Sequence, residues 1–185
     1  MKIRIFFIAF ILFSNSLYAN KLQALYKLYE KRSYMKACDF GLKIFQKYKK
    51  NPKFLMLYGL SCLNADHIDR LAVPMISLRY DSKAQRVNAS YFATILLQKK
   101  LLIHALIDHV DLSNLSLPKT DYLLSKVFEL YSQKAYTKHG YKYHLHPNED
   151  KETTYVLYLL GDPKKGKLVI EERHHNRLIK THRYW

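Results

Sequence analysis

The histidines near the C-terminus are the residues of this chain best suited to chemistry. His144 and His146, in the stretch YHLHP, would share one face of a β-strand because strand side chains alternate with period two. Zinc needs three or four ligands converging at about 2.0–2.2 Å, and this pair supplies two. The other candidate ligands are His174, His175, His182, Glu149, Glu171 and Glu172. No HExxH motif or known ligand spacing joins them. We therefore expect surface histidines with no metal or cofactor, and keep a secreted metal-binding protein as the alternative.

Motifs of the known enzyme classes are absent from the sequence. There is no GxSxG nucleophile motif and no carboxylate pair in a supporting context. The five glycines stand at positions 41, 59, 140, 161 and 166, so a glycine-rich cofactor loop is nearly excluded. His174-His175-Asn176 superficially resembles a His-Asn-His nuclease motif, but no surrounding motif supports the match. We predict a non-enzymatic protein without catalytic residues, with a hydrolase that uses the C-terminal histidines as the alternative.

Residues 1–19 have the three-part order of a secretory signal peptide. Lys2 and Arg4 precede an uncharged apolar run over 5–13, and a polar patch then leads to a cleavage point after Ala19. An uncleaved anchor is the alternative, but the apolar run is too short to span about 30 Å of hydrocarbon comfortably. We expect a periplasmic or secreted protein that is soluble after cleavage.

The chain after the cleavage point is strongly basic. It carries 29 Lys and Arg against 15 Asp and Glu, and residues 20–140 contribute +11 of the net +14. Such a balance can indicate nucleic acid or an anionic surface as a partner. However, the lysines are spread along the chain, and no RGG run, RNP-like strand or zinc-finger spacing accompanies them. We predict no binding to nucleic acid.

A period of 34 residues runs from Tyr18 to about residue 117. In frames that start at Tyr18, Pro52 and Arg86, equivalent positions are nearly all apolar or small. A fixed period of this length is typical of stacked helical repeats. The stretch LMLYGLSC at 55–62 and the stretch SYMKA at 33–37 carry the pattern most clearly.

These stretches resemble the tetratricopeptide repeat, whose 34-residue unit is two antiparallel helices, A and B. Residues 55–62 match the helix-A signature of that family, and 33–37 match the start of helix B. The resemblance implies helix pairs over 20–117. It also implies that Gly59 allows close contact with a crossing helix, at a helix-propensity cost of roughly 1 kcal/mol. An irregular helical bundle is the alternative.

Some departures from the family pattern bear on the helix bounds. Pro74 falls inside the second B helix and must kink that helix or delay its start. Gln98-Lys99-Lys100 is a weak turn in the third frame, which leaves open one continuous helix over 84–110. A further helix over 120–137 would cover the last apolar face of the stack and complete a helical domain of 20–140.

The same register gives the two cysteines a role. It places Cys38 on helix B of the first frame and Cys62 on helix A of the second, and these helices are neighbours in a tetratricopeptide stack. A disulfide in an oxidising compartment would then close a loop of about 25 residues and stabilise the fold by about 3–3.5 kcal/mol. Two buried free thiols are the alternative, and the absence of a CxxC motif disfavours a redox pair.

After Gly140 the sequence takes on the pattern of short strands. Three segments rich in β-branched and aromatic residues are separated by turn residues, and a fourth precedes them. They are 141–146, 154–160, 167–173 and 177–184. We predict a small antiparallel β meander over 141–185 that packs on the helices, and hence an α+β fold that is mainly helical.

The tetratricopeptide resemblance also implies a binding groove, which the family lines with side chains of its A helices. In this chain the residues carried over include Tyr26, Tyr29, Lys53, Met56, Leu60 and Asn64, followed in the third frame by Val87, Ser90, Thr94, Leu97 and Gln98. Aromatic residues and Met favour a protein or peptide partner. We predict a scaffold module, an accessory component of a bacterial cell-envelope assembly. The alternative is that the C-terminal sheet fills the groove.

Overall fold

The computed structural model describes residues 21–79, 82–148, 150–162 and 166–184, so the predicted signal peptide lies outside it. Six helices precede a five-stranded antiparallel sheet in the described chain, which confirms the α+β class. The helices are α1 (21–30), α2 (Tyr34–Tyr48), α3 (Pro52–Asn64), α4 (Ala72–Leu78), α5 (Lys83–Asp108) and α6 (Leu123–Ser132), with a 3₁₀ turn (Ile68–Leu71) before α4. The strands are β1 (Tyr136–His139), β2 (Lys142–Leu145), β3 (Thr153–Leu160), β4 (Lys167–His174) and β5 (Arg177–Tyr184).

Helices α1 and α3 end in the same type of backbone turn. Arg32 and Asp66 both have positive φ, 55° and 62°. In each turn the N–H of the following residue donates to a carbonyl in the last turn of the helix, from Ser33 to Leu28 at 3.0 Å and from His67 to Cys62 at 2.9 Å. These are the hydrogen bonds of a Schellman motif. The two turns occupy equivalent positions of the 34-residue frames.

An N-cap residue and two prolines fix where α3 and α4 begin. The Asn51 side chain accepts a hydrogen bond from the N–H of Phe54 at 3.1 Å, and Pro52 follows at the first helical position. Pro74 lies in the first turn of α4, where no backbone hydrogen bond is lost. It therefore delays the start of this helix, which is one of the two predicted outcomes.

Two glycines allow aromatic rings to pack against helix backbones. A Cβ atom on Gly59 would lie 2.5 Å from Cζ of Phe92 in α5, and one on Gly41 would lie 2.4 Å from Cδ2 of Tyr58. Both distances are far below van der Waals contact. The predicted close approach at Gly59 is confirmed, and its neighbour is an aromatic side chain of α5.

Helix α5 is continuous through the whole third frame, so this frame has no turn between an A and a B helix. Within the predicted turn, the ammonium of Lys99 lies 2.9 Å from the Asp69 carboxylate, and burial lowers the pKa of this lysine. The third frame is therefore one continuous helix, the outcome that the weak turn left open, and not the helix pair that the tetratricopeptide resemblance implies. By length and composition alone, α5 is the one described helix that would suffice to cross a membrane.

Helix α6 ends earlier than predicted. Lys134 has a φ of +57°, and the N–H of Ala135 donates to the Leu130 carbonyl at 2.9 Å, which closes the helix. The segment predicted to continue as a helix to 137 instead starts β1 at Tyr136. β1 pairs with β2, so the sheet has five strands where four were predicted.

The sheet is a meander in the order β1 to β5. Tyr143, Leu157 and Ile170 form a cross-strand row on its inner face and belong to the same core as Leu124 of α6. The opposite, outer face carries Glu171 and Arg173 of β4. The β4–β5 register shifts between Glu172 and Arg173, which places a bulge near the end of this hairpin.

The disulfide predicted from the repeat register is present. Cys38 of α2 and Cys62 of α3 are bonded, with their Cα atoms 4.7 Å apart, and both are fully buried. The bridge therefore crosslinks the second helix of the first frame to the first helix of the second frame.

Candidate binding face and histidine cluster

The residues predicted to bind a partner reach solvent on α1 and α3. Most of α3 is buried, but four of its side chains remain exposed or half-buried at a spacing of three or four residues, which puts them on one stripe of the helix. They are Lys53, Met56, Leu60 and Asn64. On α1, Tyr26 is 51% exposed and Tyr29 is half-buried. We call these six residues the candidate binding face.

Tyr29 connects the two helices of this face. Its side chain is hydrogen-bonded to that of Asn64, and its ring stands edge-on to Tyr34 with centroids 5.3 Å apart. Burial, followed by the proximity of Tyr34, raises the pKa of the Tyr29 hydroxyl, which therefore stays protonated at neutral pH. Tyr91 of α5 interacts electrostatically with Tyr29.

The segment before α6 covers the far end of the predicted groove. The Gln98 amide donates to the Pro118 carbonyl at 3.2 Å and to the Ser125 hydroxyl at 3.0 Å, and Gln98 is only 1% exposed. The Tyr122 hydroxyl donates to the Leu63 carbonyl at 3.0 Å. Gln98 is therefore structural, and the same segment contacts the backbone of α3 at Leu63. The ring of Tyr122 also packs edge-on against Tyr184 of β5, so the segment and the sheet meet at this end.

The open part of α5 still presents apolar surface. Val87 is 62% and Leu97 46% exposed, and Ser90 is also exposed. Tyr91 donates its hydroxyl hydrogen to the Asp121 carboxylate at 2.8 Å, and burial raises the pKa of this tyrosine. This hydrogen bond ties the covering segment to the edge of the candidate binding face.

Glu152, His174 and His175 form a separate cluster at the end of the sheet. The Glu152 Oε2 atom lies 3.6 Å from Nε2 of His174 and 3.4 Å from Nε2 of His175. One ligand atom from each residue lies within 4.8 Å of the others. Glu152 was missed in the sequence because its position beside the histidines depends on the pairing of β3 with β4, in which Thr153 faces His174.

The pair that suggested a metal in the sequence, His144 and His146, does not join this cluster. The His144 ring packs edge-on to His139 with centroids 4.9 Å apart, whereas His146 lies 3.3 Å from the Thr137 hydroxyl. Burial, and then the nearby His139, lowers the pKa of His144. Glu149 lies outside the described residues.

Two other candidate ligands take part in structural contacts. Glu171, on the outer face, accepts hydrogen bonds from the Tyr158 hydroxyl at 3.0 Å and from Nε of Arg173 at 3.1 Å. His182 is buried on the inner face, and its Nδ1 atom lies 3.0 Å from both carboxylate oxygens of Asp66. This pair joins β5 to the turn after α3.

Comparison with known proteins finds no family model, no curated protein and no solved structure that matches the chain. The tetratricopeptide resemblance therefore remains a prediction from the sequence.

Proposed function

We propose that the chain is an exported, non-enzymatic interaction module whose candidate binding face holds an acidic, extended segment of a partner protein. The observation that carries the proposal is the α3 stripe. A helix that is otherwise buried leaves Met56 and Leu60 half-buried on the same stripe as Asn64, which is hydrogen-bonded to Tyr29 of α1. Accessible aromatic and Met side chains are typical of protein interfaces.

Two further observations support this role. The turns at Arg32 and Asp66 share one geometry at equivalent frame positions, as expected for stacked repeats that bind through their A helices. The disulfide fits an oxidising compartment, in agreement with the predicted signal peptide. We place the protein in a periplasm, as an accessory component of a cell-envelope assembly.

Charge indicates the chemistry of the partner. The basic excess of the chain favours an acidic segment, because long-range attraction speeds association while apolar contacts hold the complex. An extended segment also suits the length of a stripe that runs from Lys53 to Asn64. Affinity for the partner should therefore fall as the salt concentration is raised. The affinity that persists at high salt should come mostly from the apolar side chains.

A crosslinking experiment tests the face. A photoreactive phenylalanine analogue is placed at Tyr26 in cells that express the full chain, and at Leu42 as the control. Leu42 is 49% exposed on α2, so it matches Tyr26 in exposure but not in position. We expect one dominant adduct from position 26 and none from position 42. Equal adducts from both positions would contradict the proposal.

The captured protein is then purified and its affinity measured. Tyr26→Ala with Met56→Ala should weaken binding about 30-fold, which corresponds to about 2 kcal/mol for the loss of interface anchors. The control pair, Leu42→Ala with Ile76→Ala, removes two exposed apolar side chains elsewhere and should leave affinity unchanged. Unchanged binding by the first pair, with both variants folded, would reject the candidate binding face.

A further inference from the structure

The cluster of Glu152, His174 and His175 has the dimensions of a metal site. Ligands at about 2.05 Å around a tetrahedral ion are separated by about 3.3 Å. The Glu152 oxygen lies 3.4 Å from one imidazole nitrogen and 3.6 Å from the other, and one ligand atom from each of the three residues lies within 4.8 Å of the others, so the side chains need to adjust to enclose an ion. The two imidazole rings are tilted by 59° to each other, with centroids 4.4 Å apart.

Backbone contacts hold the three residues in this arrangement. His175 and Asn176 form the β4–β5 turn with positive φ angles of 48° and 63°, and the N–H of His175 donates to the Glu152 carbonyl at 2.9 Å. On the other side, one carboxylate oxygen of Asp150 accepts the N–H groups of Glu152 and Thr153 at 3.0 and 3.1 Å. The ligands therefore come from two segments that are tied to each other and not from one mobile loop.

The Thr153 hydroxyl favours the ring orientation in which Nε2 of His174 faces the cluster. Nδ1 of His174 lies 3.5 Å from the Thr153 hydroxyl, a long contact, while Nε2 of the same ring faces Glu152. Metal-binding histidines commonly use one nitrogen for the ion and the other for a second contact that orients the ring. The three side chains are exposed, so water can complete the coordination.

We propose that Glu152, His174 and His175 bind one divalent transition-metal ion of the zinc class. Two imidazole nitrogens and one carboxylate oxygen suit such ions and do not suit calcium or magnesium, which take oxygen ligands. The site lies apart from the candidate binding face and does not depend on the proposed interaction function.

Titration of untagged mature protein with zinc chloride tests the site. Calorimetry at pH 7.5 should show one zinc per chain with micromolar affinity, and no comparable heat with magnesium. His174→Gln and Glu152→Gln should each weaken binding at least tenfold. His175→Asn should do the same while keeping the turn, because Asn tolerates positive φ.

Two control variants separate this site from other histidines. His104→Ala removes a different histidine–carboxylate pair, in which Nε2 lies 3.2 Å from Asp108, and should leave zinc binding unchanged. His144→Ala with His146→Ala should also leave it unchanged. Absence of binding at 100-fold the expected dissociation constant would overturn the proposal. So would unchanged affinity in the Glu152, His174 and His175 variants, or a loss that follows His144 and His146 instead.

Discussion

The contacts that stabilise the helical part and the contact that docks the sheet span very different separations along the chain. In the helices, the turns at Arg32 and Asp66 close on residues of the same helix, and the disulfide joins two consecutive helices. In the sheet, the contact that docks β5 reaches back to Asp66, a separation of 116 residues. The helices can therefore form largely from local contacts, whereas the sheet depends on the helices for its inner partner surface.

Removal of the disulfide should have the largest effect, and it should fall on the helical part. Cys38→Ala with Cys62→Ala is expected to lower the free energy of unfolding by about 3 kcal/mol, because the unfolded chain regains the freedom that the closed loop removes. Urea unfolding measures the loss. Hydrogen exchange by segment should show reduced protection over 34–64 before any change in the strands.

Reduction of the wild-type protein is the matched control for this pair. Dithiothreitol should destabilise the wild type by a similar amount and leave the double variant unchanged. A loss of protection that begins in β3 and β4 would contradict the separation of the two parts.

A substitution at the contact between Asp66 and His182, which joins the helical part to the sheet, should give the next largest loss of stability. Asp66→Asn removes the charge that faces His182 but retains a residue suited to positive φ, so the turn is kept. We expect a loss of about 2 kcal/mol, as for other hydrogen bonds to charged groups. The control is Arg32→Asn at the equivalent turn, where the side chain is exposed and stability should hold. Equal effects of both changes would mean that Asp66 acts only through its turn.

The smallest effect on the free energy of unfolding is expected from a substitution at Glu171, on the outer face of the sheet. Burial raises the pKa of Glu171, but hydrogen bonds from Arg173 and Tyr158, with the positive charges of Arg173 and Lys142, outweigh it and leave the pKa below its usual 4.5. The stabilising contribution is therefore complete above pH 4.5 and is lost as pH falls through the lower pKa of the folded state.

Glu171→Gln should accordingly cost about 1 kcal/mol at pH 7 and less at pH 3. Urea unfolding of both proteins at the two pH values measures the difference. Tyr158→Phe, which removes one donor and leaves Arg173, should show part of the same pH dependence. A cost that stays constant between pH 7 and pH 3 would show that the carboxylate charge is not what stabilises this face.

Much of the helical part could be predicted because its determinants are local or periodic. Gly59, the delayed helix at Pro74 and the bridge between Cys38 and Cys62 follow from a 34-residue register and from steric rules. In the third frame, the polar stretch at 98–100 indicated a weak turn, but Gln98 and Lys99 are buried on α5 and bonded to Ser125 and Asp69. A polar stretch in the sequence does not reveal such partners.

The histidine cluster and the junction could not be predicted for the opposite reason. The contact of Glu152 with His174 depends on strand register, and that of Asp66 with His182 depends on how the sheet docks. Neither leaves a spacing motif in the sequence. The early end of α6 depends on Lys134 adopting a left-handed conformation, which lysine seldom does, so the usual glycine signal for a helix end was absent.

The bulge in the last hairpin bears on how the sheet avoids association with other copies. β5 is an edge strand, and an even, flat edge would offer its free backbone groups to another strand. The register shift beside Arg173 interrupts that regularity, and Arg177, Lys180 and Arg183 place positive charge along the same strand. Edge-to-edge pairing of two copies would bring these like charges together. The irregular, positively charged edge therefore disfavours such pairing.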